Sequence, residues 1–233
     1  MPSIFMDILW LVFFIAWPVI AGFMGIKRGS TSRVNLYRVY GNELLMVLGV
    51  LSMVYVLRPS LYQPISQLPL HPGFVIKEDI FWGIVSVFLT PFFLAFTRFT
   101  THYPKDIQRA DALFGFPVRY LPEDWKTYGL FAVYIIAGVV FEELVCRLFM
   151  FRLLHAVWGV NGDIMVVCTA FVFAIGHLYQ GWKGVISNFI TGLLFGKVFL
   201  MKQDIVYPLV LHLSLNATIL VLAARRIRDL RRH

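Results

Sequence analysis

Three charged side chains lie close together inside a long apolar stretch of the sequence. Glu142, Glu143 and Arg147 fall within the run that begins near Tyr128. An ionisable group in the bilayer core costs about 3 kcal/mol or more unless it is paired or faces a polar cavity, so these residues are functional candidates. On a helix Glu143 and Arg147 are i and i+4 neighbours that can pair, while Glu142 points about 100° away and is left for other chemistry. A purely structural ion pair is the alternative, but it does not require Glu142.

Polar residues interrupt the apolar second half of the chain at two further places. His177 is one, and His212 with Asn216 is the other. Four-residue spacing places His212 and Asn216 on one helix face, where they can act on the same substrate atom. A lone membrane histidine or asparagine more often serves helix packing, but their combination with the acids favours a site. The helical rise allows Glu142 and His177 to lie at similar depth, about 22–27 Å from the turn at 158–162. His212 lies only about 12 Å beyond its own preceding turn, so helix tilt or offset must supply the rest.

The composition is that of a polytopic membrane protein. Of 233 residues, 59% are hydrophobic and 15% charged, and the mean hydropathy is +0.74, outside the range of soluble domains. The net charge of +8 comes from basic residues in short loops, which the positive-inside rule explains better than nucleic-acid binding. Cys146 and Cys168 lie in apolar segments, so we expect buried thiols, no disulfide framework and no reactive thiolate.

The apolar runs predict an all-α transmembrane bundle of about seven spans, with six to eight compatible with the pattern. The predicted spans are 8–26, 44–57, 80–97, 129–156, 163–180, 184–201 and 205–224. The run 44–57 is marginal and would need Tyr40 and Arg58 as interfacial anchors. The first run lacks the basic segment and cleavage site of a signal peptide, which indicates a retained helix.

The spans divide the chain into three predicted parts. Residues 1–127 form N-terminal helices and loops, including a proline-rich loop at 59–74 and a short interfacial helix at 106–114. Residues 128–224 form a four-helix membrane core. Residues 225–233 form a basic cytoplasmic tail, and the N-terminus lies outside if 44–57 spans. Short loops and small size favour a bacterial plasma membrane over the endoplasmic reticulum.

Small and aromatic residues add detail to the predicted core. Gly192 and Gly196 form a G-x-x-x-G pair, which allows close helix packing and has no chemical role. Trp158 and Trp182 occur at predicted turns, where indole rings suit the headgroup level of the membrane.

Taken in order, the polar motifs resemble those of the CPBP, or Abi, intramembrane proteases, a family that includes the type II CAAX prenyl endopeptidase. The family pattern is E-E-x-x-x-R, F-x-x-x-H and H-x-x-x-N. It is present here as Glu142-Glu143 with Arg147, Phe173 with His177, and His212 with Asn216. The resemblance covers roughly 128–223. The family commonly has Gly after the Arg, where this chain has Leu148, a departure that bears on local packing more than on catalysis.

The resemblance implies a role for each polar residue. Peptide hydrolysis needs an activated water, a group that holds the developing oxyanion and a proton for the leaving amine. Glu142 and His177 would position and deprotonate the water. His212 and Asn216 would face the oxyanion. Glu143 with Arg147 would hold the first helix of the core in place.

The cofactor and the partners follow from the same resemblance. Two histidines and a glutamate are acceptable zinc ligands, and proteins with this pattern are often labelled metalloproteases. The chain has no H-E-x-x-H, and its polar groups can equally activate water without metal, so we expect no required cofactor. The expected partners are the lipid bilayer and a peptide or prenylated-protein substrate. A bacteriocin-immunity or scaffold protein is one alternative; a transporter is another, but the broken helices or internal repeat that it predicts are not evident.

Overall fold

The described part of the protein is helical. The structure, a computed structural model, describes residues 4–28, 35–64 and 120–231, together with positions 70, 77, 80, 82 and 85. Within these ranges there is no strand, in agreement with the all-α prediction. The predicted interfacial helix at 106–114 lies outside the described residues, as does nearly all of the predicted span 80–97.

Seven helices are described, and they are labelled here in chain order. They are α1 (Ile4–Arg28), α2 (Leu36–Leu57), α3 (Trp125–Glu143), α4 (Met150–Trp158), α5 (Asp163–Gly176), α6 (Gly181–Lys202) and α7 (Val206–Leu230). A π-helical turn, Leu144–Phe149, joins α3 to α4, so Trp125–Trp158 is one continuous helix of 34 residues. Short 3₁₀ turns occur at Pro59–Tyr62 and Leu178–Gln180.

Four of the described helical segments are long and apolar enough to cross a membrane. They are Leu36–Leu57, Trp125–Trp158, Leu178–Lys202 and Val206–Leu230. Ile4–Ile20 and Asp163–Gly176 are shorter apolar segments. The protein is therefore an integral membrane protein. The total of about seven spans stays a prediction.

The second helix is longer than predicted. α2 begins at Leu36 rather than at 44, because the Asn35 side chain accepts a hydrogen bond from the backbone N–H of Arg38 and caps the helix. Glu43 interrupts the apolar run but not the helix. Helical spacing places Glu43 on the same stripe as the buried Tyr40 and Val47 of α2, which packs against α3.

The predicted interfacial anchors of α2 instead make contacts inside the protein. Tyr40 is buried, and its hydroxyl donates to the backbone carbonyl of Tyr120. Arg58 is also buried and forms an ion pair with Asp7 of α1. These side chains therefore join α2 to the rest of the fold, because buried donors need protein acceptors.

The start of α3 is set by a capping residue that hydropathy does not detect. The Asp124 carboxylate accepts hydrogen bonds from the hydroxyl of Thr127 and from the backbone N–H groups of Thr127 and Lys126. These hydrogen bonds hold the pKa of Asp124 below its usual value, and the bond from the Thr127 hydroxyl has the largest effect. Because the pKa is lowered on folding, the Asp124 carboxylate stabilises the folded protein at pH values above the usual carboxyl pKa. This stabilisation is lost as the pH falls through the pKa that Asp124 has in the folded protein.

The prediction that one helix covers 163–180 is wrong at its C-terminal end. α5 ends at Gly176, and the 3₁₀ turn follows. The backbone N–H of His177 donates to the carbonyl of Ala174, and its ring Nδ1 donates to the carbonyl of Phe173. In a continued α-helix the Phe173 carbonyl would instead accept from the backbone N–H of His177. His177 therefore lies at the end of a helix rather than inside one.

The last helix extends beyond its predicted end at 224. α7 continues to Leu230, so the first part of the predicted basic tail is helical. Arg226 lies on this extension and pairs with Glu123, which precedes α3, with an Nη2 to Oε1 distance of 2.6 Å. This pair joins the two ends of the membrane core.

Close packing of α6 on α5 confirms the role predicted for the glycine pair. A Cβ atom at Gly192 would lie 3.0 Å from the Cα of Ala170, and one at Gly196 would lie 3.0 Å from Cγ1 of Val166. Trp158 and Trp182 are 61% and 70% exposed at the ends of α4 and α6, which suits the predicted headgroup positions.

This packing generates a stability prediction. Gly192→Ala should destabilise the protein by roughly 1–3 kcal/mol, because the new methyl group overlaps the backbone of α5. Gly129→Ala is the matched control, since a Cβ there meets nothing within 4 Å, and alanine favours helix. Thermal unfolding in detergent measures both variants, and equal melting temperatures would contradict the packing argument.

Candidate active site

The predicted site residues come from four parts of the fold. Glu142 and Glu143 end α3, Arg147 lies in the π-helical turn, His177 follows α5, and His212 with Asn216 lies on α7. The structure brings the first five of these side chains into one cluster.

The π-helical turn carries the arginine of the cluster. Here the backbone N–H of Met150 donates to the carbonyl of Val145, five residues back. Such turns are rare and often occur at functional sites. Arg147 remains next to Glu143, with its Nε 3.2 Å from Oε2 of the carboxylate, as the i,i+4 spacing predicts.

The Glu143 and Arg147 side chains are fully buried, at 0% exposure. Nη2 of Arg147 also donates to the carbonyl of Gly192 on α6, at 3.3 Å. The guanidinium carbon lies 5.1 Å from the ring centroid of Phe173 and 5.8 Å from that of Phe195. Opposite charge, a carbonyl and two aromatic rings thus stabilise a cation that would otherwise be costly to bury.

His212 is held by the second oxygen of the same buried carboxylate. Its Nδ1 lies 2.8 Å from Oε1 of Glu143. Because a carboxylate oxygen accepts hydrogen bonds, Nδ1 carries a proton and donates it to this bond. The ring packs against Phe195, at a centroid distance of 5.1 Å, and edge-on to Phe173. These contacts orient Nε2 toward Glu142, at 3.6 Å from Oε2.

His177 is held in the same way by a different acceptor. Its Nδ1 donates to the backbone carbonyl of Phe173 at 2.8 Å, and its ring lies 4.7 Å from the Phe173 ring. Nε2 then faces Glu142, 3.8 Å from Oε1. In its neutral form His177 therefore presents an Nε2 lone pair to this carboxylate.

Glu142 differs from its neighbour Glu143 in exposure and in partners. Its side chain is 33% exposed, and each of its oxygens faces the Nε2 atom of one histidine. These separations are longer than a hydrogen bond. A water beside the three groups could therefore contact all of them, the arrangement that a general base needs.

Asn216 follows His212 by one turn of α7 and is partly exposed. As predicted from spacing, the two side chains share a helix face. Its role toward an oxyanion stays a prediction.

Whether the site could bind a metal ion depends on which side chains can act as ligands. Among the residues that the structure describes, no group of three or more His, Cys, Asp or Glu side chains is placed to hold a metal ion. Glu142 faces Nε2 of each histidine, at 3.8 and 3.6 Å, and the sensitivity of the activity to a zinc chelator would test whether a metal takes part.

Two residues at the site were missed by sequence reasoning. Phe195 packs on both His212 and Arg147, but a phenylalanine in an apolar helix gives no signal. Glu43 of α2 interacts electrostatically with Tyr134 and Tyr179, as Glu142 does. An acid beside an apolar run was a signal that could have identified Glu43.

The buried pair generates a second prediction. Arg147→Met should lower the stability by about 3–5 kcal/mol, because it leaves the Glu143 carboxylate buried without its cation. The double variant Glu143→Gln and Arg147→Met should regain part of that loss. Thermal unfolding of both variants in detergent tests this, and a double variant less stable than Arg147→Met would contradict it.

The comparison with protein families agrees with this geometry. A model described as type II CAAX prenyl endopeptidase Rce1-like matches residues 124–218, which contain all of the predicted site residues. No curated protein and no solved structure was found to match the chain. The match confirms the resemblance stated from the three motifs. Residues 124–218 therefore form an Rce1-like domain, consistent with a CPBP family intramembrane protease.

Proposed function

We propose that this protein is an intramembrane endopeptidase that hydrolyses a peptide bond near the membrane surface. One observation carries the proposal: the partly exposed Glu142 carboxylate lies between Nε2 of His177 and Nε2 of His212, at 3.8 and 3.6 Å. The Nδ1 atoms of both histidines are bound on the opposite side of the ring. The family match independently supports a CAAX protease.

In the first chemical step Glu142 acts as general base. A water donates one hydrogen to the Glu142 carboxylate and the other to Nε2 of His177, which fixes its orientation. Glu142 removes the proton as the water oxygen bonds to the carbonyl carbon of the substrate, and the carbonyl π electrons move onto its oxygen. A tetrahedral oxyanion results.

In the second step the oxyanion collapses and the carbon–nitrogen bond breaks. Glu142 returns its proton to the nitrogen, so the products are an amine and a carboxylic acid, which ionises. Asn216 donates to the oxyanion from its side-chain amide, and His212 donates from Nε2 when that atom is protonated. Donors placed before the reaction stabilise this charge without further reorganisation.

Glu143 and Arg147 act by positioning. Glu143 holds Nδ1 of His212, and Arg147 holds Glu143. Because Arg147 also contacts Gly192 and Phe173, the carboxylate cannot turn away from His212 without breaking buried contacts. A misplacement of about 1 Å in such a site can cost about 100-fold in rate.

The proposed substrate is a prenylated CAAX tail or a small peptide processed at the membrane. His177 follows the C-terminal end of the apolar helix α5 in an integral membrane protein, so a lipid-modified tail can present its peptide there while the lipid stays in the bilayer. A bacterial plasma membrane stays our prediction for the location. Neither the family match nor the described geometry favours the immunity or transporter alternatives.

Glu142→Gln tests the general base. This change keeps the size of the side chain but removes its basicity, so cleavage should fall by at least about 100-fold with an unchanged melting temperature. The assay follows quenched fluorescent peptides, in farnesylated CAAX and unprenylated forms, with purified protein in detergent. Glu123→Gln is the control, since this 66% exposed carboxylate lies outside the site.

The outcomes separate the alternatives. Cleavage that Glu142→Gln leaves unchanged would remove Glu142 as the base, and no cleavage by the unaltered protein would contradict a protease for these substrates. We expect cleavage to persist in a parallel sample with a strong zinc chelator; inhibition reversed by added zinc would require a metal. The ratio of the two peptide rates measures the importance of the prenyl group.

A further inference from the structure

The 3₁₀ turn that follows His177 carries a polar network that the proposed mechanism does not use. Leu178–Gln180 forms this turn, and Gly181 then begins α6 with a positive φ of 75°. The ring of Tyr179 stacks beside the imidazole of His177, with a centroid distance of 6.0 Å and an interplanar angle of 29°. An aromatic side chain thus lies directly against the histidine that faces Glu142.

The Tyr179 hydroxyl is oriented by two amide side chains, Gln180 and Asn188, which we name the amide clasp. Nε2 of Gln180 donates to the hydroxyl oxygen at 3.2 Å. Nδ2 of Asn188 donates to Oε1 of Gln180 at 2.9 Å and to the carbonyl of Gly184 at 2.8 Å. The amide clasp therefore fixes which end of Gln180 faces the tyrosine.

Glycine at position 184 is required by this arrangement. A Cβ atom there would lie 2.3 Å from Cβ of Gln180 and 2.9 Å from its Oε1. Any larger residue would displace the Gln180 side chain from its bond to Tyr179. The local sequence is thus compatible with the clasp only because position 184 carries no side chain.

The Tyr179 hydroxyl keeps its own hydrogen for a further hydrogen bond. Since Gln180 donates to the hydroxyl oxygen, the hydroxyl hydrogen remains for an acceptor. Tyr179 is partly exposed, and it interacts electrostatically with the carboxylates of Glu142 and Glu43. Because the Tyr179 ring stacks on His177, whose Nε2 faces Glu142, this tyrosine borders the place where the carbonyl of a peptide must lie to react.

We propose that the Tyr179 hydroxyl, oriented by the amide clasp and stacked on His177, donates a hydrogen bond to a carbonyl oxygen of the bound peptide. This role rests on the proposed function, because it requires a peptide next to Glu142. It adds to the site a donor that lies outside the three motifs. The donor stabilises the reacting geometry, so its effect falls on kcat more than on KM.

Tyr179→Phe tests this role, because it removes the hydroxyl and keeps the ring against His177. We expect kcat to fall about 10- to 100-fold, with KM within about 2-fold and an unchanged melting temperature. Tyr207→Phe is the matched control, since Tyr207 is 44% exposed at the start of α7. Asn188→Leu, which releases Gln180, should lower kcat in the same direction.

The double variant Tyr179→Phe and Asn188→Leu distinguishes an oriented donor from a structural network. If Asn188 acts through the hydroxyl, the double variant should be no slower than the slower single variant. The role of Tyr179 would be overturned if the kcat losses of the two single variants multiplied in the double variant, or if Tyr179→Phe kept the wild-type kcat. Cleavage that still depended on Glu142 would leave the proposed function intact. No cleavage by the unaltered protein would overturn both.

Discussion

The buried pair of Glu143 and Arg147 is the interaction on which the rest of the site depends. Neither side chain is exposed, so each charge is tolerable only through the other and through the groups around them. Those groups come from the other helices of the core: Phe173 on α5, Gly192 on α6 and His212 on α7. The groups that stabilise this one charge pair therefore bring α3, α5, α6 and α7 to a common point.

The two adjacent acids have different surroundings because helix geometry points them in different directions. Glu143 faces the packed interior, where both of its oxygens have cationic or hydrogen-bonding neighbours. Glu142 is 33% exposed, and its two oxygens face the Nε2 atoms of the two histidines. The histidines are similarly divided, since Nδ1 of each ring is bound to the protein and Nε2 faces Glu142.

Helices outside the family match also contribute to the position of the site. α1 packs on α4, α5 and the 3₁₀ turn after His177, and α2 packs on α3. A Cβ at Gly176 would lie 3.2 Å from Cβ of Pro18, so α1 approaches the backbone immediately before His177. Because α5 ends there, contacts from α1 replace part of the restraint that a continued helix would provide. The N-terminal helices are therefore part of the scaffold.

The sequence by itself predicted the helical class, the membrane location and the candidate residues, five of which the structure brings into one cluster. Those conclusions depend on local quantities: hydropathy along the chain, and the i,i+4 spacing that pairs Glu143 with Arg147. Only the tertiary structure decided that Glu143 also binds His212, that Phe195 packs on His212 and Arg147, and that α5 ends at Gly176. These features depend on contacts between residues far apart in sequence, or on a side chain taking the place of a backbone donor. Hydropathy and residue spacing describe one helix at a time, so they contain no information about long-range contacts or about a side chain that replaces a backbone donor.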